Sequence, residues 1–302
     1  MTLVVGVTPE SPGRAALHVA AMLARSGGED LLLCAVVPSP WPPGLARVDA
    51  EYREHLDGSA REALEEASAH VPEDVGAATA VQHARSAPAG LIDVAEQRDA
   101  SAIVAGSSAA GVFGHVSLGS VSDRLVHSSP VPVALATRGF RCRPDARVTR
   151  VTAAYGGAED ELVVAAVRVA ARAGATLRIA SFAVRARPPY TSGVGREAQG
   201  SIMREWAREI DAGARTALER VKALPQVPPE VTAEIGAGET WDDALEDVEW
   251  DDGDLLVVGS STIGPVARVF LGSRASKIVR HSPVPVLVVP RAAAAELAGA
   301  VA

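Results

Sequence analysis

Short apolar runs alternate with longer amphipathic stretches along the whole 302-residue chain. Runs at residues 3–7, 31–37, 78–82, 102–105 and 131–136 read as strands, and the unbroken Val/Leu/Ile runs among them as strands buried on both faces. Stretches 13–26, 49–70, 88–97 and 120–127 read as helices. In the first of these, Ala15, Ala16, Val19, Ala20 and Leu23 share one face. The second half predicts strands at 150–154, 176–184, 232–235, 254–258 and 284–289, with helices at 160–173, 201–223, 240–246 and 273–280. Strand and helix alternating in this way predict an α/β fold, a doubly wound parallel sheet in each half.

The halves are copies. Ile103-Val104-Ala105-Gly106-Ser107-Ser108 recurs as Leu256-Val257-Val258-Gly259-Ser260-Ser261. Leu118-Gly119-Ser120 recurs as Leu271-Gly272-Ser273, and Ser129-Pro130-Val131-Pro132-Val133 as Ser282-Pro283-Val284-Pro285-Val286. One offset, 153 residues, relates all three pairs. The expected organisation is a first domain at 1–138, an Arg-rich linker with Pro144 at 139–148, a second domain at 149–291 and an Ala-rich, frayed tail at 292–302. The Pro- and Gly-rich loops 38–44 and 185–200 differ most between the halves, and Trp41 in the first reads as a cover on a core edge. Proline lacks an N–H donor, so each Pro-Val-Pro-Val run belongs at a strand start or sheet edge.

Composition removes several classes of function. Net charge is −8, so nothing draws the chain to nucleic acid or an anionic membrane. No apolar stretch approaches the ~18 residues of a spanning helix, and Met1-Thr2-Leu3-Val4-Val5 lacks a basic leader, so a cytoplasmic protein is expected. Two cysteines, Cys34 and Cys142, suit neither a disulfide framework nor a zinc site. Aromatics are only 4%, so aliphatic side chains must fill the core.

In doubly wound sheets ligands bind beyond the carboxyl ends of the strands, where strand order reverses. The loop after the fourth strand, residues 106–120, is therefore the first place to look. Its glycines would admit close backbone approach and φ > 0, and Ser120 would cap a helix whose N-terminus favours an anion. Gly259, Ser260, Ser261, Gly264, Gly272 and Ser273 repeat the arrangement. As local punctuation alone the pattern is more often that of an ordinary turn and cap than of a phosphate site.

A strand, Gly-Ser, a thirteen-residue step to a second Gly-Ser, a helix and Ser-Pro-Val-Pro-Val resembles the universal stress protein family in its tandem two-domain form, over nearly the whole chain. The resemblance implies two Rossmann-like domains whose last strands pair as an internal pseudo-dimer, with a further homodimer left open. It also implies that some members bind ATP through Gly-x-x-Gly, nine residues and Gly-Ser/Thr, whereas others bind no nucleotide. Gly106, Gly119 and Ser120 match the motif in the first half, Gly259, Gly272 and Ser273 in the second. The motif's second glycine is replaced by Ala109 and Thr262, the latter β-branched and unsuited to φ > 0. Nucleotide-binding members carry an Asp at the end of strand one, which the sequence aligns with Thr8 and Tyr155. The implied site is thus Thr8, Gly106, Ser107, Ala109, Gly119 and Ser120, with Gly259, Ser260, Gly272 and Ser273 the weaker copy.

No Gly-Lys-Ser/Thr loop occurs, Lys being present only at 222 and 277. The histidines have no metal spacing, and the serines no evident base. No metal is expected beyond Mg²⁺ carried by a nucleotide. His115 reads as solvent-facing, and His127 and His281 as cations at helix ends. Residues 242–254, eight of thirteen acidic, read as a solvated helix face. The expectation is a non-catalytic, cytoplasmic stress-response regulator with ATP in its first domain. The alternative is a nucleotide-free interaction or adaptor module with degenerate motifs.

Overall fold

The computed structural model describes residues 1–8, 13–38, 46–157, 160–184, 227–262 and 269–294, with 212, 213, 215, 216, 218, 219 and 221; of 46–50, 160, 261–262 and 269–270 it describes the backbone only. Trp41, Gly264 and most of the helix expected at 201–223 lie outside the described residues. The first domain runs β1 (Thr2–Val7), α1 (Arg14–Gly27), β2 (Asp30–Pro38), α2 (Ala46–Ser68), β3 (Ala77–Ala84), α3 (Ala87–Gln97), β4 (Ala102–Ala105), α4 (Ser120–Ser128) and β5 (Val133–Leu135). The second runs β6 (Arg150–Ala154), α5 (Asp160–Ala173), β7 (Thr176–Val184), β8 (Val231–Gly238), α6 (Trp241–Glu246), β9 (Asp254–Gly259), a short antiparallel pair β10 (Ser261–Thr262) and β11 (Val269–Phe270), α7 (Ser273–His281) and β12 (Val286–Val289). Residues 212–221 are helical where described.

Local chemistry sets the element ends. α1 stops at Gly28, whose φ of 64° only glycine adopts without strain, and Gly174 repeats that value after α5. α3 starts where the Ser86 hydroxyl accepts from the Ala89 amide, with Pro88 in the first turn.

Ten strands form one sheet in the order β3-β2-β1-β4-β5-β12-β9-β6-β7-β8. Every neighbouring pair is parallel except β5 and β12, which meet antiparallel with Leu135, Ala134 and Val133 opposite Val286, Leu287 and Val288. The two halves therefore pair through their last strands, as an internal pseudo-dimer. Pro132 and Pro285 stand just before these strands, where a missing N–H costs nothing and the carbonyl still accepts, from Ile103 (2.9 Å) and Leu256 (3.0 Å). Ser129 and Ser282 fold the preceding turns identically, each hydroxyl donating 2.7 Å to the carbonyl two residues on.

Inside its two edge strands, β3 and β8, the sheet is buried on both faces. Val5, Val7 and Val104 point into one aliphatic core under α1, α2 and α5, while Val4, Ile103 and Ala105 point into another under α3, α4, α6 and α7. This is why the strand sequences run apolar without alternation. The linker is docked rather than free: Val148 is buried and its amide donates to Ser26 Oγ at 2.7 Å, and Arg25 reaches the Ala146 carbonyl at 2.9 Å. Ala294, expected in a frayed tail, is buried as well.

The acidic stretch is solvated as expected at Asp243, Glu246, Asp247, Glu249, Asp251 and Asp252, and departs from that reading at its end. Its helix, α6, spans six residues, and Asp254, at the start of β9, is fully buried. Arg150 grips that carboxylate through Nε (2.8 Å) and Nη2 (2.7 Å), and Arg178 approaches to 3.7 Å while stacking on Trp250 at 4.6 Å. Arg178 further donates to Thr152 Oγ1, Glu234 and the Glu249 carbonyl. A buried charge persists only when paired and hydrogen-bonded, which this cluster achieves for Asp254.

Candidate functional site

At the carboxyl ends of β1, β2 and β4 the first domain opens a cavity of about 560 Å³, within the range of small-ligand sites. Its floor is strand: Gly6, Val7 and Thr8 of β1 and its end, residues 34–38 of β2. One side is α2 through Leu56, Ser59 and Ala60; the other is Gly106–Ser108 and the start of α4, Gly119–Ser122. The topology brings Thr8, Gly106, Ser107, Gly119 and Ser120 to one cavity although 112 residues separate the first from the last. Ala109 is exposed and outside the wall.

Several details differ from the sequence expectation. The helix cap is Gly119, not Ser120, which is the first helical residue. Gly119 is extended (φ −84°, ψ 178°), its carbonyl accepts from Asp123, and the orphan Gly119 amide donates to Ser122 Oγ at 2.9 Å. Ser122 thus does the work assigned to Ser120, and its spacing three residues after the glycine is the signal that could have revealed it. The amides of residues 120–122 have no partner within the helix and open at the cavity wall. In loop 106–120 only Gly114 has positive φ. Gly119 serves by lacking a side chain, since a Cβ there would come within 3.3 Å of Ser108, whereas one on Gly106 would meet only Ala16 at an ordinary 3.9 Å.

Ser107 is structural: its hydroxyl donates to the Ala136 carbonyl at 2.6 Å and accepts from the Ser117 amide at 3.0 Å. Cys34 lies in the floor, and burial pushes its thiol up to about 11. A neutral thiol there is a packing group and not a nucleophile.

The second copy of the site is altered. Val4 pairs Ile103 in the first domain and Thr152 pairs Leu256 in the second, so β6 aligns with β1 at an offset of 148. On this register Tyr155 matches Val7, and Gly156 occupies the position of Thr8, one residue from the sequence alignment. Tyr155 is buried in the core under the 212–221 helix, with a Cβ on Gly213 falling 3.4 Å from its ring. That ring fills the space which in the first domain lies open between Val7 and α2. Gly272 again caps its helix, but Ala275 stands at the position of Ser122, and the Ser260 hydroxyl is buried without a partner. Thr262 sits in strand β10, so no positive φ is asked of it.

Pairing of the domains creates a second cavity, of about 580 Å³, between residues 111–118 and Asp242, Glu246, Arg280 and His281. His115 belongs here and not to solvent or the first cavity: its Nδ1 lies 3.3 Å from the His281 carbonyl. His281 itself bonds Asp242 at 2.6 Å across α7 and α6, whereas His127 bonds the Asp123 carbonyl of its own helix. The His115–His281 contact is invisible to spacing, because those two residues meet only when the halves pair. Among the described residues no three His, Cys, Asp or Glu side chains gather as a metal site, and no helix is long and apolar enough to cross a membrane.

The family model for the universal stress protein family matches residues 1–137 and 149–290. The chain belongs to the universal stress protein family. Universal stress proteins of Mycobacterium tuberculosis and Mycobacterium bovis are 40% identical to it over 296 residues, covering 96% of this chain and all of theirs. The crystal structure of a universal stress protein from Archaeoglobus fulgidus covers 96% of this chain and 98% of its own at 20% identity with a TM-score of 0.56. A Pseudomonas aeruginosa structure covers 99% and 97% at 15% identity and a TM-score of 0.54. These structures share the tandem fold. In this universal stress protein Gly106, Ser107, Gly119 and Ser120 line the first-half cavity, while the second half buries Tyr155 at the position of Val7.

Proposed function

We propose that the protein is a non-catalytic, cytoplasmic stress-response regulator that binds one adenine nucleotide, ATP included, in its first domain. The observation that carries this reading is the open first-domain cavity, with an apolar floor at one end and the free amides of α4 at the other. A base fits the former, and a phosphate at a helix N-terminus the latter. The Tyr155 ring supports a nucleotide-free second domain acting as a structural partner. Among the described residues no base stands paired with a nucleophile in the first cavity, which supports binding without turnover.

Equilibrium dialysis of folded protein against labelled ATP with Mg²⁺ tests this, with one nucleotide per chain and unaltered ATP expected. Ser120→Asp is the informative variant. A carboxylate at the first helical position favours the helix by about 0.3–1 kcal/mol but opposes a phosphate there, so binding should fall while stability holds. No binding by the folded protein overturns the nucleotide reading and leaves the adaptor role.

A further inference from the structure

We infer that the chain self-associates through the tip of loop 106–120, a second copy inserting its Phe113 into the cavity between the domains and offering its own cavity in return. Val112 and Phe113, consecutive at that tip, are 70% and 72% exposed. One exposed apolar side chain is ordinary on any surface, but consecutive ones fixed in place beside a cavity mark an interaction site. The Gly114 amide donates to the Arg138 carbonyl and the Arg138 amide to the His115 carbonyl, each at 2.9 Å, and the Arg138 guanidinium donates to the Gly111 carbonyl. The Phe113 ring lies where a Cβ on Gly139 would stand, so only glycine there, at φ 78°, lets the ring rest on the backbone. An aromatic side chain ordered before contact loses little rotamer freedom on binding.

The cavity beside the tip, about 580 Å³, has an apolar wall of Val112, Val116 and Leu118 and a charged one that includes Glu246 on α6 and Arg280 on α7. Both charged residues are exposed, and among the described residues neither makes a hydrogen bond or ion pair. Knob and hole, cation and anion thus share one face, each next to its own complement. A two-fold axis matches such a face to itself, since residue i of one copy meets residue j of the other and the reverse. Phe113 then enters the other copy's cavity, and Arg280 faces Glu246 of the other copy, twice. A partner of different sequence would have to supply both features, whereas a second copy already carries them. The contact leaves the β5–β12 seam intact and uses no residue that lines the first-domain cavity, so it stands apart from the nucleotide reading. Two phenylalanines burying about 150–250 Å² each fall short of a standard interface of about 1,600 Å², so a weak dimer is expected, dissociating at roughly 1–100 µM.

Sedimentation equilibrium of the full chain, from low micromolar to submillimolar concentration, tests this. Wild-type protein is expected to pass from monomer to dimer, and Phe113→Ala to raise the dissociation constant more than about tenfold. Arg280→Glu, which sets two carboxylates against each other at both contacts, is expected to weaken the dimer about fivefold, and adding Glu246→Arg to bring it back within about twofold of wild type. All three positions are exposed, so the variants are expected to keep the wild-type circular dichroism spectrum. Wild-type protein that stays monomeric throughout, a dimer indifferent to Phe113→Ala, or a charge exchange that fails to restore what Arg280→Glu removed each overturns the inference.

Discussion

The Arg150–Asp254–Arg178 cluster of the second domain has a control built into the first. By strand register Thr2, Ser101 and Leu32 occupy the corresponding positions, so the same fold closes there without a charge. Asp254→Ala removes a fully buried carboxylate that accepts from Arg150 Nε and Nη2 and from the Asp251 amide (2.9 Å). It leaves Arg178, nearly as buried, with an Nη2 that already lacks a hydrogen-bond partner. Breaking one member of such a pair costs about 3–5 kcal/mol. The low end applies here, because Arg150 keeps Asp251 (3.1 Å) and Arg178 keeps Glu234 and the Glu249 carbonyl. The triple variant Arg150→Thr, Arg178→Leu, Asp254→Ser copies the first domain and removes the charges together. It should recover most of that loss, since replacing a buried ion pair by apolar groups is often neutral. Urea unfolding followed by far-ultraviolet circular dichroism gives both numbers. A single variant costing under about 1 kcal/mol, or a triple variant less stable than the single, refutes the account of this cluster.

Val7→Tyr places in the first domain the ring that Tyr155 carries in the second, and should abolish nucleotide binding in dialysis while the protein stays folded. Burial, followed by the charges of Arg141 and Arg14, lowers the pKa of His18 below its usual 6.5. The unfolded chain thus takes up this proton first, so the stability contribution is complete above pH 6.5 and lost as pH falls through the lower folded value. Nuclear magnetic resonance titration of His18 should show a midpoint under 6.5, and His18→Gln should flatten the decline in stability on acidification from pH 7. The Cys34 thiol, held near 11 by burial, should resist iodoacetamide at pH 8 in the folded protein and react on unfolding.

Much of this molecule is legible in its sequence because its signals are periodic or duplicated. Unbroken apolar runs mark strands covered on both faces, and one constant offset pairs Gly106 with Gly259 and Gly119 with Gly272. Boundaries of α1, β4 and α5 follow from the same pattern. What escaped is what depends on register or on pairing. A shift of one residue between β1 and β6 decides whether Tyr155 or Gly156 stands at the end of the strand, and only the hydrogen-bonded neighbours reveal it. Asp254 looks like one acidic residue among eight until β9 carries it under Arg150 and Arg178. His115 meets His281 only because β5 and β12 lie side by side. Ser120 masks the role of Ser122 in the sequence, because a hydroxyl directly after a glycine has the form of an N-cap, whereas the Gly119 amide donates to Ser122.

The antiparallel seam between β5 and β12 also changes the rules under which the two sites vary. Two separate chains pairing through a common strand would have to meet by diffusion, and dilution would part them. Here the partner is tethered, at an effective concentration that dilution does not touch. A substitution in β12 does not reappear in β5, as it must in two identical copies. One half can then lose its cavity to a tyrosine while the other keeps its own, and every chain still delivers both halves in a fixed one-to-one ratio.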